Sequence, residues 1–180
     1  MAKISGRSLS KDSVYQEFDL KEILGMDVSG DDALIAAIGQ AIIDQIVDRT
    51  KSGKDVNGSS FAPYSESYKK SLDFKAFGKT NAVDMTLTDE MLSMLTILSV
   101  KGSVLRVGWN DAESSAKAYG HITGMKGHPR LDGVTPKRDF FGLNETEVAN
   151  LRTEFRPNFN AEAELNDVSI MEKIERLLGA

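Results

Sequence analysis

An amphipathic run between residues 30 and 52 constrains the fold more than any other feature of the chain. Apolar side chains recur there at three- and four-residue spacing, which is typical of the buried face of an α-helix. Ser29 or Asp31 can cap the start, and Gly53 suits the position just after the end. The pattern therefore predicts a helix over residues 30–52, with an apolar stripe wide enough to lie on a sheet. Its members are Leu34, Ile35, Ile38, Ala41, Ile42, Ile46 and Val47.

A β-hairpin is predicted later in the chain. Residues 96–100 and 104–109 are rich in β-branched and aromatic side chains, and Lys101, Gly102 and Ser103 separate them. Asn110 or Asp111 can then cap a helix of about eight or nine residues that ends at Gly120. The hairpin and the long helix together favour a mixed helix and sheet architecture.

Shorter elements are predicted from their capping residues. Ser65 can begin a short polar helix that reaches about Lys75, and Thr88 can cap a turn or short helix. Asn144, followed three residues later by Glu147, resembles a capping box and predicts a helix to about residue 155. The glycines and prolines of residues 121–136 predict an exposed loop.

These patterns predict one domain and two terminal arms. Residues 1–29 are expected to be an N-terminal arm, residues 30–156 an α+β domain, and residues 157–180 an acidic C-terminal arm. The first arm either docks on another molecule or forms part of the core. The second carries a short amphipathic helix formed by Ile170, Ile174, Leu177 and Leu178.

Composition excludes several classes of protein. There is no cysteine, so disulfides, thiolate metal sites and cysteine nucleophiles are excluded. The net charge of −5 disfavours a general nucleic-acid binder. The N-terminal residues lack the apolar core of a signal peptide, and the longest apolar stretch is too interrupted to span a membrane. We expect a protein that is cytosolic when it is made.

Candidate catalytic groups are few. His121 and His128, with Asp132 nearby, are the best candidates for a metal site, but their spacing matches no helical or finger pattern. Loop histidines without a ligand are the favoured interpretation. Asp89 and Glu90 form an acidic pair, which the start of a helix already explains. No nucleophile motif or phosphate-binding loop is present, so we predict that the chain is not an enzyme and has no cofactor.

Charge is unevenly distributed along the chain. Residues 101–139 carry seven bases and four acids, whereas residues 144–180 carry eight acids and four bases. The basic segment can meet DNA phosphates, or it can meet the acidic segment of a neighbouring copy in a head-to-tail ring. An equally good interpretation is that these charged side chains contact only solvent and bind no partner.

Aromatic residues concentrate in turn-rich segments instead of in the long helix. Phe61, Tyr64 and Tyr68 lie in one such segment, and Phe140 and Phe141 lie in another. Such residues either pack beneath loops or anchor an interface, where aromatic side chains contribute much of the binding energy.

Four segments in order resemble the virion-morphogenesis proteins of tailed bacteriophages, also called tail-completion or neck proteins. The first is the basic turn and aromatic stretch of residues 49–68, and the second is the Val-Asp-Met-Thr-Leu-Thr-Asp-Glu-Met-Leu-Ser stretch of residues 83–93. The third is the helix end at residues 117–121, and the fourth is the Pro-Lys-Arg-Asp-Phe-Phe-Gly-Leu-Asn stretch of residues 136–144. The similarity covers about residues 33–155. Asp89 stands where the family commonly has glycine.

The resemblance implies an α+β fold in which a long N-terminal helix packs on a small antiparallel β-sheet, with short helices and extended terminal arms. It also implies a structural subunit of the phage neck. Copies would form a ring, a hexamer or a dodecamer, that completes the tail and joins it to the head connector. DNA would only pass through the lumen, and no membrane would be involved. A tail-terminator ring that caps the tail tube is the alternative within this biology.

Partners implied by the resemblance are further copies of the chain, the head-completion or connector proteins, and the tail-terminator or tail-tube proteins. We expect the protein in the virion, at the head–tail junction. Arg138 is expected to donate an ion pair, and the phenylalanines after it are expected to anchor the segment. The candidate interface residues are Phe61, Pro63, Tyr64, Tyr68, Arg138, Phe140 and Phe141.

Two hypotheses of other classes remain open at this point. One is a small metal-dependent hydrolase that uses His121, His128 and Asp132. The other is a DNA-binding module that uses the basic residues of 101–139.

Overall fold

A computed structural model of the chain describes residues 4–86, 89–124 and 136–156, and everything below concerns those residues. They form an α+β fold in which helices pack against a small antiparallel sheet. A final helix, α7, covers residues 145–156. The other elements are β1 (Ile4–Ser10), β2 (Ser13–Asp19), α1 (Leu20–Leu24), α2 (Asp32–Lys51), α3 (Glu66–Lys69), α4 (Leu72–Ala76), α5 (Glu90–Ser93), β3 (Thr96–Lys101), β4 (Val104–Gly108) and α6 (Ala112–Thr123).

The sheet has four strands in the order β1-β2-β4-β3, and all neighbours are antiparallel. The hairpin predicted at residues 96–109 supplies β3 and β4. The prediction of an N-terminal arm is wrong over residues 4–28, because β2 lies inside the sheet between β1 and β4. Val14 and Phe18 alternate with polar neighbours and are buried in the core. The long helix is accordingly the second helix of the chain, preceded by a hairpin and by α1.

The long helix α2 forms where the amphipathic run predicts it. The side chain of Asp31 accepts a hydrogen bond from the backbone N–H of Leu34 at 2.9 Å, which caps the first turn. Gly39 allows the helix to approach the sheet closely, since a Cβ there would lie 2.5 Å from Cδ1 of Ile97 and 3.1 Å from Cδ2 of Leu105. Gly53 follows the helix with a positive φ of 81°.

Several predicted boundaries shift. Helix α6 continues to Thr123, beyond the predicted end at Gly120, because Ile122 is buried in the core and holds the last turn in place. The predicted polar helix over residues 65–75 is two short helices, because the hydroxyl of Ser71 caps a new one by accepting from the N–H of Phe74 at 3.2 Å. The predicted loop at 121–136 lies largely outside the described residues.

The predicted capping box at the start of α7 is confirmed. The N–H of Glu147 donates to Oδ1 of Asn144 at 2.9 Å, and the N–H of Asn144 donates to Oε2 of Glu147 at 2.8 Å. The amphipathic helix predicted within residues 157–180 lies outside the described residues. Among the described helices, none is both long and apolar enough to cross a membrane.

Candidate interaction surface

The candidate interface residues come from two distant segments, and the structure divides them into surface and core. Pro63 is exposed, and Tyr64 and Tyr68 are half-buried. Phe61 is buried at the edge of the core. Arg138 lies beside the first segment although it is 74 residues beyond Tyr64 in the chain, and its guanidinium carbon is 5.6 Å from the centre of the Tyr64 ring.

Phe140 and Phe141 are core residues, so the expectation that they anchor an interface is wrong for this chain on its own. Both are almost fully buried, and both rings contact Trp109, with ring centres 6.1 and 5.0 Å from it. The indole N–H of Trp109 donates to the backbone oxygen of Met91 at 2.6 Å, which fixes this aromatic group against α5.

Tyr64 and Tyr68 form a three-ring cluster with Phe74. The ring centres lie 5.2 to 5.6 Å apart, and Phe74 meets both tyrosines edge to face. Such pairs are favourable beyond the area they bury. Phe74 is absent from the sequence-based set of interface residues. Because α4 has only five residues, no hydrophobic period identifies Phe74 as its buried side chain from sequence.

Arg138 is a buried cation, and no carboxylate of the described residues pairs with it. The ion pair expected from the sequence is therefore not found among those residues. The residue is 5% exposed. Nη2 donates to the backbone oxygen of Ala62 at 3.0 Å, and Nε has no partner. Burial lowers the pKa of Arg138 from its usual value, whereas Tyr64 and Tyr68 act in the opposite direction. The interaction that replaces the ion pair is the cation–π contact with Tyr64.

His121 lies beneath this arginine. Its backbone oxygen accepts from the N–H of Arg138 at 2.7 Å, and Nδ1 is buried without a partner. Burial lowers the pKa of His121 to about 4, with a smaller contribution from the positive charge of Arg138. His128 and Asp132 lie outside the described residues. Among the described residues, no group of three or more acidic or histidine side chains could hold a metal ion.

A polar network closes the other side of the aromatic cluster. The hydroxyl of Tyr64 donates to Oδ1 of Asp84 at 3.4 Å, and Nζ of Lys79 donates to both oxygens of Asp84 at 3.0 Å. Burial alone would raise the pKa of Asp84, but hydrogen bonds from Lys79 and Thr86 outweigh it and lower the pKa. Burial, and then the charge of Asp84, raises the pKa of Tyr64. The carboxylate therefore stays ionised and the phenol stays neutral.

Exposed apolar and basic side chains lie in α4, at the residue that ends α3 and at the residue that follows α4. Leu72 is 84% exposed and Phe77 is 54% exposed. Lys70 and Lys75 are also exposed and make no ion pair with a described residue. We call these four residues the α3–α4 patch. The sequence predicts a polar helix here, because most side chains of residues 65–75 are polar or charged.

Arg49, at the end of α2, joins three parts of the chain. Its guanidinium forms an ion pair with Glu147, whose carboxylate is 10% exposed, against 8% for the arginine side chain. Nη2 donates to the backbone oxygens of Phe140 and Gly142 at 2.5 and 2.9 Å. The arginine thereby holds the 136–144 segment between α2 and α7.

The four segments that carry the family resemblance meet in space. Residues 49–68 contact residues 136–144, residues 117–121 contact both 136–144 and 83–93, and residues 83–93 contact 49–68. The hydrogen bonds between them include Val56 N to Asp139 O (2.8 Å), Arg138 N to His121 O (2.7 Å), Lys117 Nζ to Glu90 Oε2 (3.0 Å) and Lys51 Nζ to Asp89 Oδ2 (3.0 Å).

The basic segment of residues 101–139 does not form a free basic surface over its described part. Arg106 pairs with Glu17 at 2.6 Å and stacks over Tyr15. Lys117 pairs with Glu90 and Glu113. Local acids therefore neutralise charges that a phosphate-binding surface would need.

Comparison with known protein families, with curated proteins and with solved structures finds no match to this chain.

Proposed function

We propose that the chain is a structural subunit of a tailed-phage neck, which assembles into a ring that completes the tail and joins it to the head connector. DNA passes through the lumen and is not held there, which agrees with a net charge of −5. The protein acts through contacts with other proteins and carries out no reaction. Its partners are further copies of itself and the proteins above and below it in the neck.

The observation that carries this proposal is the convergence of the four resembling segments. Each segment alone consists of turn and cap residues, which many unrelated proteins share. Hydrogen bonds join the described residues of these four segments to one another. A set of motifs that jointly builds one structural unit is stronger support for a family relationship than the same motifs scattered over the surface.

Asp89 adds independent support. The resembled family commonly has glycine at this position, and Asp89 has a positive φ of 56°, a conformation that favours glycine. A left-handed backbone at Asp89 is compatible with glycine at this position of the family motif, and it therefore supports the proposed relationship.

The surface of the domain also supports a binding function. The Tyr64, Tyr68 and Phe74 cluster is half-exposed beside a buried arginine, and tyrosine and arginine are enriched where proteins bind each other. Leu72 and Phe77, which flank Phe74 in the chain, are exposed as well. Large exposed apolar areas are typical of protein interaction sites.

Mass photometry of the protein mixed with the connector and tail proteins encoded beside it tests the assignment. We expect a complex of several copies, which Tyr64→Ala together with Tyr68→Ala weakens by at least tenfold, because tyrosines at an interface centre each contribute about 2 kcal/mol. Met94→Ala, at another exposed apolar residue, is the matched control and should assemble normally. Unchanged assembly of the folded double variant would remove this surface from the proposal. Gene order between head-completion and tail-tube genes is a second check.

A tail-terminator ring remains the alternative within the same biology, and the proteins that join the complex in this experiment decide between the two. The metal-dependent hydrolase is not favoured, because the cation of Arg138 lies against His121 and repels a metal ion there. Nor does any observation favour the DNA-binding module, whose basic residues Arg106 and Lys117 are paired.

A further inference from the structure

The α3–α4 patch has the composition of a docking surface that lacks its partner. Leu72 and Phe77 expose more of their surface than any other large apolar residue described. Isolated exposed apolar residues are ordinary, but these two stand at the two ends of one short helix, since Leu72 begins α4 and Phe77 follows its last residue, and they flank the buried Phe74 in the chain. Lys70 and Lys75 flank them. A partner for this surface would be apolar on one side and acidic around it.

The C-terminal segment of the chain has the complementary composition. Residues 157–180 contain five acids and two bases, whereas residues 66–79, which include the patch, contain four bases and two acids. Four apolar residues of the segment recur at the spacing of one helix face. Three of the five acids, Glu162, Glu164 and Asp167, precede this apolar set, whereas Glu172 and Glu175 alternate with the bases Lys173 and Arg176. The apolar set is Ile170, Ile174, Leu177 and Leu178.

Length and charge favour this segment over the other stretch outside the described residues. The described chain ends at Arg156, and the 24 residues that follow can extend for roughly 80 Å. That reach covers any point on a domain of this size, or a neighbouring copy. Residues 125–135 contain Lys126, Arg130 and a single acid, so they carry the same sign of charge as the patch and are repelled by it.

We propose that the C-terminal segment, residues 157–180, docks its apolar face on Leu72 and Phe77 and places its acids near Lys70 and Lys75. The inference deepens the proposed function, because a segment that binds a copy of the same patch links neighbouring subunits. In that arrangement the segment serves as the connecting arm of the ring.

Site-specific photo-crosslinking of the full-length protein tests the docking. Phe77→p-benzoylphenylalanine keeps an aromatic ring at the patch and, on irradiation, bonds to whatever covers it. We expect mass spectrometry to find crosslinks to residues 157–180 in excess over those from the matched control Met94→p-benzoylphenylalanine, which lies outside the patch. Equal yields from the two positions, or crosslinks from position 77 to other segments, would overturn the proposal.

A charge exchange separates docking from chance proximity. Glu162→Lys with Glu164→Lys should reduce the crosslink roughly threefold to tenfold, as expected from the loss of two ion pairs and the gain of like charges. Adding Lys70→Glu and Lys75→Glu should restore it. The lysine exchange leaves the core unchanged, since Lys70 and Lys75 are both exposed. A crosslink yield that neither pair of substitutions changes contradicts recognition of the segment by charge.

Mixing isotope-labelled and unlabelled chains before irradiation shows whether the segment belongs to the same or to a neighbouring copy. Crosslinks to residues 157–180 without any assembly on the connector support the docking and contradict the proposed function. Assembly on the connector with crosslinks from position 77 to another segment supports the proposed function and contradicts the docking.

Discussion

At the scale of single residues, Asp89 adopts a backbone conformation that is unfavourable for its own side chain. Its φ of 56° is in the left-handed region, and its side chain makes no capping hydrogen bond to α5. Glycine adopts this conformation without strain, so replacing Asp89 by glycine should raise the free energy of unfolding by about 1 kcal/mol. The side chain does pair with Lys51 at 3.0 Å, but both groups are largely exposed and the pair contributes little.

We therefore expect Asp89→Gly to stabilise the protein, with the comparison made in a Lys51→Met background so that the ion pair is already absent. The free energy of unfolding in urea should rise by about 1 kcal/mol. Asp89→Ala keeps the unfavourable conformation and should give no gain. A glycine variant that is less stable than its parent would show that the conformation is not strained.

His121 is expected to make stability depend on pH. Its pKa is about 4 in the folded protein, against about 6.5 when exposed. Above pH 6.5 the imidazole is neutral in both states. As the pH falls from 6.5 to 4, the unfolded chain takes up the proton first, so stability is lost over that window. A shift of this size corresponds to about 3 kcal/mol.

His121→Gln should remove this part of the pH dependence. The difference in free energy of unfolding between the variant and the native protein should change by about 2–3 kcal/mol in favour of the variant between pH 7 and pH 4. Carboxylates titrate in both proteins and cancel in the difference. A difference that stays constant with pH would contradict the buried, neutral imidazole.

At the scale of elements, the ion pair between Arg49 and Glu147 ties α2 to α7 and to the 136–144 segment between them. Both side chains are nearly buried. Loss of one partner leaves the other charge unpaired away from water, which costs about 3–5 kcal/mol. Arg49→Met and Glu147→Met should each destabilise by that amount.

The double variant Arg49→Met/Glu147→Met should be less destabilised than the sum of the two single changes, because it leaves no buried charge unpaired. We expect a coupling of at least about 1 kcal/mol from the double-mutant cycle. The native protein and both single variants complete the cycle, measured by urea unfolding at pH 7. Additive effects would mean that the two residues stabilise the protein separately.

Elements with a strong local signal are those that sequence predicts well. The spacing of Ile35, Ile38 and Ile42 predicts α2, and the Asn144 and Glu147 pair predicts the start of α7. The N-terminal hairpin resembles an arm in sequence because residues 1–28 mix charged residues, Ser and Gly with only a few apolar residues. Its place in the sheet depends on pairing between β2 and β4, about 90 residues apart, which no local pattern reveals.

At the scale of the whole molecule, the interaction surface is only partly predictable for the same reason. Residues 61–68 stand out as turn-rich aromatics, and Arg138 stands out through the family resemblance. Their contact arises because Arg49 and His121 hold the 136–144 segment against α2 and α6. Phe140 and Phe141 have the same sequence signature as Tyr64, and only the packing around Trp109 identifies them as core residues.

The central claim is that this chain joins tail to head as a structural ring. Electron microscopy of particles from a phage that encodes the chain, with its gene removed and then supplied in trans, tests it most directly. We expect complete heads and separate tails without the protein, joined particles when the native chain is supplied, and separate particles again with the Tyr64→Ala/Tyr68→Ala variant. Normal joined, infectious particles in the absence of the chain would contradict the assignment.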